Sequence, residues 1–262
     1  MHIMHDPAPV DSAERPRGPR GPARNADFAW DEFDPSQYWE HNYTTLRADD
    51  HEILNLVSTW FELMAGSNHL SGLDIGAGPN LYPSLAMLPY CADLTLREYS
   101  AANVRWLRKA TAALADQWRP FWQAVSPGDR FGDFDAASAA LAKRAAVEQG
   151  SVFDLPAAAW DLGTMFFVAE SISQDPAEFA AALAAFVGAI RTGGPFAAAF
   201  MERSDGYAVA QRRFPATSVG RDEVLRVLEP IANLVEVHRV ETRPAPLRAG
   251  YTGMLVATGL AR

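Results

Sequence analysis

The chain has 262 residues, long enough for one large α/β domain, and 48% of them are hydrophobic, enough to fill its core. Against 23 Lys and Arg stand 32 Asp and Glu, and the formal net charge of −9 argues against duplex nucleic acid, whose binders rely on cationic contacts to phosphate. A single cysteine, Cys91, excludes an intrachain disulfide and a thiolate metal cluster, and no run of ~18 apolar residues offers a membrane span.

Residues 1–27 are rich in Pro, Gly and Arg and lack the apolar run of a signal peptide. They read as a disordered tail, residues 28–262 as a single domain, and the cytoplasm as the default compartment. The segment 28–47 opens that domain as an aromatic cap carrying Trp30, Phe33, Tyr38, Trp39 and Tyr43. Tyr38 and Tyr43, five apart, fall on neighbouring sides of one helix, which suits a lid over a ligand or a staple on the core. Residues 48–65 place Ile53, Leu54, Val57, Trp60, Phe61 and Met64 at helical spacing.

A short strand, Leu73–Ile75, runs into Gly76-Ala77-Gly78-Pro79, with Pro79 suited to the first turn of a following helix. Strand 93–98, helix 101–114, an Ala-rich helix 136–147 and a third strand ending near Gly150 follow. Residues 160–169 read as a buried central strand, 175–189 as a helix, 195–202 as a fifth strand, 221–229 as a helix, and 234–242 and 253–260 as two final strands. Alternating strands and helices closing on two strands joined by a loop predict a mostly parallel sheet with an antiparallel edge.

Glycines at the carboxyl end of a first strand let the backbone approach a ligand closely, in the crevice where such sheets bind nucleotides. Leu81 stands where a dinucleotide fold has its third glycine, and no GxxxxGK[ST] triphosphate loop is present. Glu98, 20 residues beyond Gly78, closes the second strand, where an acid accepts hydrogen bonds from both hydroxyls of a ribose or simply faces solvent. His41, His51, His69 and His238 have no metal-ligand spacing, and no metal site is expected.

Five stretches carry a family resemblance: FDPSQYWEHNY (33–43), LDIGAGPNLY (73–82), REYSAANVRWL (97–107), ERSDGYAVAQRRFPATSVGRDEV (202–224) and GYTGMLVAT (250–258). Together they resemble the nicotinamide, phenylethanolamine and thioether (indolethylamine) N-methyltransferases. That resemblance implies a Rossmann-like class I methyltransferase fold, a mostly parallel seven-stranded sheet with an antiparallel edge strand and helices on both faces. It implies S-adenosylmethionine as cofactor and a small molecule as methyl acceptor, at an amine nitrogen. Transfer to oxygen, sulfur or a carboxylate, or cofactor binding without catalysis, are the alternatives, and a monomer is the expected form.

Carried over residue by residue, the resemblance implies that Tyr38 and Tyr43 cover the cofactor, that Gly76 and Gly78 form the floor beneath its methionine part, and that Tyr82 lies in the same pocket. Glu98 matches the ribose-binding acid, Tyr99 the residue flanking adenine and Asn103 a cofactor-contacting asparagine. At the adenine end the family's Asp-Val is Ser151-Val152 in this chain, which leaves Asp154 as an alternative acid. Glu170 matches an acid that contacts the amine, Glu202 is a second acid at a strand end, and Tyr207 matches a tyrosine lining the substrate site.

Overall fold

The structure, a computed structural model, describes residues 21–66, 69–242, 245–247 and 249–262. Two helices lead in, α1 (Pro35–Asn42) and α2 (Ala48–Met64). The alternating part begins with β1 (Leu70–Ile75), α3 (Tyr82–Met87), β2 (Cys91–Glu98) and α4 (Ala101–Ala112). After α5 (Arg119–Val125) and α6 (Phe134–Arg144) come β3 (Ala145–Gln149), β4 (Leu162–Phe166), α7 (Pro176–Ala189) and β5 (Pro195–Glu202). A small hairpin of β6 (Tyr207–Val209) and β7 (Arg212–Phe214) precedes α8 (Arg221–Leu228), β8 (Ala232–Val240) and β9 (Gly253–Ala261).

Side-chain caps start the helices where the sequence supplies them. The Asp34 carboxylate accepts the Ser36 and Gln37 amides ahead of α1, Asp133 accepts Ala136 ahead of α6, and Asp175 accepts Ala177 ahead of α7. Proline at the first helical position of α1 and α7 removes an amide that has no partner there anyway.

Seven strands form one sheet in the order β3-β2-β1-β4-β5-β9-β8. Pairing is parallel from β3 through β5, and the antiparallel member is β9, lying between β5 and the outermost strand β8. Every residue of β4 is buried, as expected of a central strand covered on both faces. Alternation sorts the side chains: Ala197 and Ala199 of β5 join Ile53, Val57 and Phe121 on one face, while Phe196, Ala198 and Phe200 join Phe179, Leu183 and Leu228 on the other. Within β1, Asp74 accepts the hydroxyls of Ser84 (2.6 Å) and Thr164 (3.1 Å), bracing β1 against α3 and β4. Burial nevertheless pushes its carboxyl up to about 7.

Several boundaries differ from the sequence reading. The Ala-rich helix stops at Arg144, because Ala145, Ala146 and Val147 pair with Leu94, Thr95 and Leu96 and the sheet overrides alanine's helix preference. The fourth strand stops at Phe166, since Phe167 turns to a left-handed φ of 59°. Pro79 starts no helix: it sits in a turn closed by the Asn80 amide on the Ala77 carbonyl, and α3 begins at Tyr82. Finally, the segment assigned to a tail is docked at its C-terminal end. The Ala23 carbonyl accepts the Gln174 amide (2.8 Å), the Asn25 amide reaches Glu178 Oε2 (2.8 Å), and Arg24 pairs with Asp175 at 3.3 Å. Residues 1–20 lie outside the described residues.

Candidate active site

Strand order reverses between β1 and β4, and the crevice outside their carboxyl ends is where open α/β sheets bind ligands. A cleft of about 800 Å³, including its open mouth, lies there, walled by the turns after β1, β2, β3 and β4 and roofed by the aromatic cap. Gly76 and Gly78 shape the first turn, at φ of 65° and 52°. A Cβ at Gly76 would stand 2.6 Å from a methyl of Val168, and one at Gly78 would project toward Asn103 and Glu98.

Glu98 is buried at the end of β2 and ties the neighbouring turns together. Its Oε2 accepts the Gly78 amide (2.9 Å) and its Oε1 the Ser100 amide (2.8 Å). Burial raises its pKa, and the amides of Ser100 and Gly78 together with the Asn103 side chain pull it back. Two buried polar atoms of cleft-lining side chains, Asn80 Nδ2 and Asn103 Oδ1, have no hydrogen-bond partner among the described residues. Such atoms are costly to leave unsatisfied, so a polar ligand in the cleft suits them. Ser151 and Val152 line the far end beside half-exposed Tyr99, whereas Asp154 points to solvent.

The roof joins segments far apart in sequence. Trp30 and Tyr207 both stack on Phe214 of β7, with centroids at 5.3 and 5.5 Å, and Tyr38 meets Phe33, Tyr43 and Tyr207 at 5.2, 6.0 and 6.3 Å. Tyr43 follows α1 as its C-cap and is buried, which together with the neighbouring Tyr38, Tyr82 and Asp50 lifts its pKa well above the usual range. Tyr82 stands one layer back, fully buried between Phe121 and Tyr43, and is absent from the cleft wall.

A second compartment of about 500 Å³, including its open mouth, adjoins the first. The two share Tyr38, Tyr43, Phe167, Ser171 and Tyr207, and the second extends to Met201, Met254 and Asp50. Of the acids expected at an acceptor, neither lines it. Glu170 is fully buried behind the wall, its Oε1 accepting the Met201 amide (2.9 Å) and the Ser171 hydroxyl (3.2 Å). Glu202 turns the other way, binding Arg239 Nε at 2.8 Å and the Thr252 hydroxyl at 2.9 Å. Of the three residues expected at the acceptor, Tyr207 lines this compartment, and Glu170 and Glu202 are not on its wall.

Asp50, Asn80, Ser171 and Phe214 were not singled out by sequence reasoning. Asp49-Asp50 passes for the polar side of an amphipathic helix, whereas Asn80 and Phe214 stand inside the recognised stretches 73–82 and 202–224, the signals that were available.

A sheet of this order, a glycine turn after β1 and a buried acid closing β2 together define a class I S-adenosylmethionine-dependent methyltransferase. Residues 23–252 match the sequence profile of the NNMT/PNMT/TEMT family, and the chain belongs to that family. Human phenylethanolamine N-methyltransferase is 27% identical over 246 residues, covering 85% of each chain. Among solved structures, the PH0226 protein of Pyrococcus horikoshii superposes with a TM-score of 0.52 at 11% identity, over 86% of this chain and 98% of its own. A SAM-dependent methyltransferase of Methanosarcina mazei gives 0.50 at 12% identity, over 74% and 94%, and these two likenesses concern the fold.

Proposed function

We propose that the chain methylates the amine nitrogen of a small molecule held in the second compartment. The observation that carries this reading is the shared wall: the aromatic and Ser171 side chains common to both compartments mark the border where donor and acceptor meet. Bound in the first compartment, S-adenosylmethionine supplies a methyl group on a positive sulfur, open to in-line displacement by an acceptor lone pair. Glu98 offers its carboxylate to the ribose hydroxyls, Tyr99 and Val152 flank the base, and Ser151 takes the place of an acid at its far edge. Gly76 and Asn80 offer backbone and amide contacts to the amino-acid end. Tyr38, Tyr43 and Tyr207 exclude water and hold the acceptor in a near-attack geometry, which is most of what such a displacement requires. The human relative is named for an amine acceptor, and that acceptor atom is carried over here. Glu170 serves by fixing the Met201 backbone, hence the wall that Met201 lines. A monomer working in the cytoplasm completes the reading.

The test is incubation with S-adenosylmethionine and a panel of amines, alcohols, thiols and carboxylates, with products located by tandem mass spectrometry. N-methyl products together with S-adenosylhomocysteine support it. Methylation confined to oxygen, sulfur or carboxylate, or no thermal stabilisation by either form of the cofactor at millimolar concentration, refutes it.

A further inference from the structure

Asp50 stands in the first turn of α2, only 4% exposed, and faces the second compartment. Among the described residues lining that compartment it is the one acid. The one cation on the wall, Arg47, is engaged by the neighbouring Asp49, with Nε to Oδ1 at 3.0 Å and Nη2 to Oδ2 at 2.9 Å, and Nη2 also reaches the Ala245 carbonyl at 2.8 Å. Asp49 is itself fully buried, and of this pair the Asp49 charge weighs more on Asp50 than the Arg47 charge does. The remaining titratable groups facing Asp50 are the phenols of Tyr43 and Tyr82, both held neutral by burial.

Burial makes the Asp50 carboxylate expensive to ionise, and the hydrogen bond with the Tyr82 phenol and the Arg47 charge offset only part of that cost. Burial, and after it the charge of Asp49, pushes the Asp50 carboxyl up to about 7. A cation entering the compartment would reverse that penalty. The rest of the wall suits the body of such a cation: Phe167, Met201 and Met254 are apolar, and Tyr38, Tyr43 and Tyr207 offer ring faces that attract positive charge.

We propose that Asp50 is the specificity-determining anion of the acceptor compartment, receiving the protonated amino group of a small amine with an apolar body. The assignment rests on the methyltransferase reading above and places acceptor recognition on α2, while the strand-end acids Glu170 and Glu202 lie off the wall. It concerns recognition of the incoming cation and involves no bond-making step.

The experiment is calorimetry on the full chain saturated with S-adenosylhomocysteine, titrated with 2-phenylethylamine and with its uncharged counterpart 2-phenylethanol. The wild-type chain is expected to favour the amine by at least about tenfold, and Asp50→Asn to bring the two within about twofold at unchanged S-adenosylhomocysteine affinity. An Asp50→Asn chain that keeps the amine preference overturns the assignment. So does a wild-type chain that binds both probes alike or binds neither. Should Asp50→Asn not fold, the wild-type pH series decides. With the amine protonated throughout, its preference over the alcohol is expected to fall as pH drops through about 7 toward about 5, and a flat ratio overturns the proposal. Absence of S-adenosylhomocysteine binding strikes down the methyltransferase reading and this proposal with it. A flat ratio with that ligand bound strikes down Asp50 alone.

Discussion

The cofactor compartment takes its floor from three short stretches at strand ends, Gly76–Asn80, Glu98–Asn103 and Gly150–Val152, and much of what it presents is backbone. The second compartment, proposed for the acceptor, is assembled from side chains of α1, α2, the turn after β4, the end of β5, the β6–β7 hairpin and β9. A backbone cradle depends on a few conformations that only certain residues permit. A wall of side chains is set one residue at a time. Acceptor preference can therefore drift by substitution at Asp50, Met201 or Met254 while the cradle for the donor stays as it is.

The sharpest break in that contrast is Gly76→Ala. A side chain at φ of 65° costs about 1–2 kcal/mol, and the clash with Val168 adds a further amount of about 1–3 kcal/mol. Urea unfolding is expected to show a loss of about 3 kcal/mol, larger than for Gly78→Ala, whose Cβ meets nothing closer than 3.7 Å. Equal losses would mean that the turn relaxes and that the cradle is not fixed by backbone. Phe214→Ala addresses the aromatic roof, whose Tyr207 lines both compartments while the backbone floor of the first is untouched. It removes the buried ring on which both Trp30 and Tyr207 stack, at a cost of about 3 kcal/mol in stability. At temperatures where the variant is folded, kcat/KM should fall about tenfold while S-adenosylhomocysteine affinity changes much less. Equal losses in both quantities would erase the division between compartments.

Glu98→Ala should weaken cofactor binding by about 1.5–3 kcal/mol, because charge-assisted hydrogen bonds disappear and the Gly78 turn loses its tether. An unchanged dissociation constant in a folded variant would remove Glu98 from the ribose site. The two compartments also differ in how pH reaches them. Asp50 has its folded pKa raised to about 7 above an unfolded value near 4, so its favourable contribution to folding is complete below about 4 and is lost as pH rises through about 7. Asp50→Asn is therefore expected to gain stability relative to wild type between about pH 5 and about pH 8, and a pH-independent difference would show the carboxylate to be well solvated. The smallest effect belongs to Glu202→Gln. Its partner Arg239 is partly exposed, such pairs contribute about 0–1 kcal/mol, and kcat/KM should stay within about twofold. A large loss of turnover with cofactor affinity intact would return Glu202 to the acceptor.

Read alone, the sequence determined the alternation of strands and helices, the glycine turn after β1 and the acid ending β2, because each is written locally. The apolar run of Pro195–Glu202 bounds a strand, and Gly76 and Gly78 announce a turn that other residues resist. Packing decided the rest. Whether Ala145–Val147 continued a helix or joined a sheet depended on an edge offered by β2, some 50 residues earlier. The same holds for Ala23 and Asn25, whose backbone groups find partners at the start of α7, and for Phe214, which meets Trp30 only when the hairpin folds over the cap. The acids at the acceptor were the hardest to place, since a carboxylate's role is set by what reaches it. The Met201 amide and the Ser171 hydroxyl hold Glu170, and the Arg239 guanidinium and the Thr252 hydroxyl hold Glu202, while Asp50, one residue along from the acid that binds Arg47, faces the compartment.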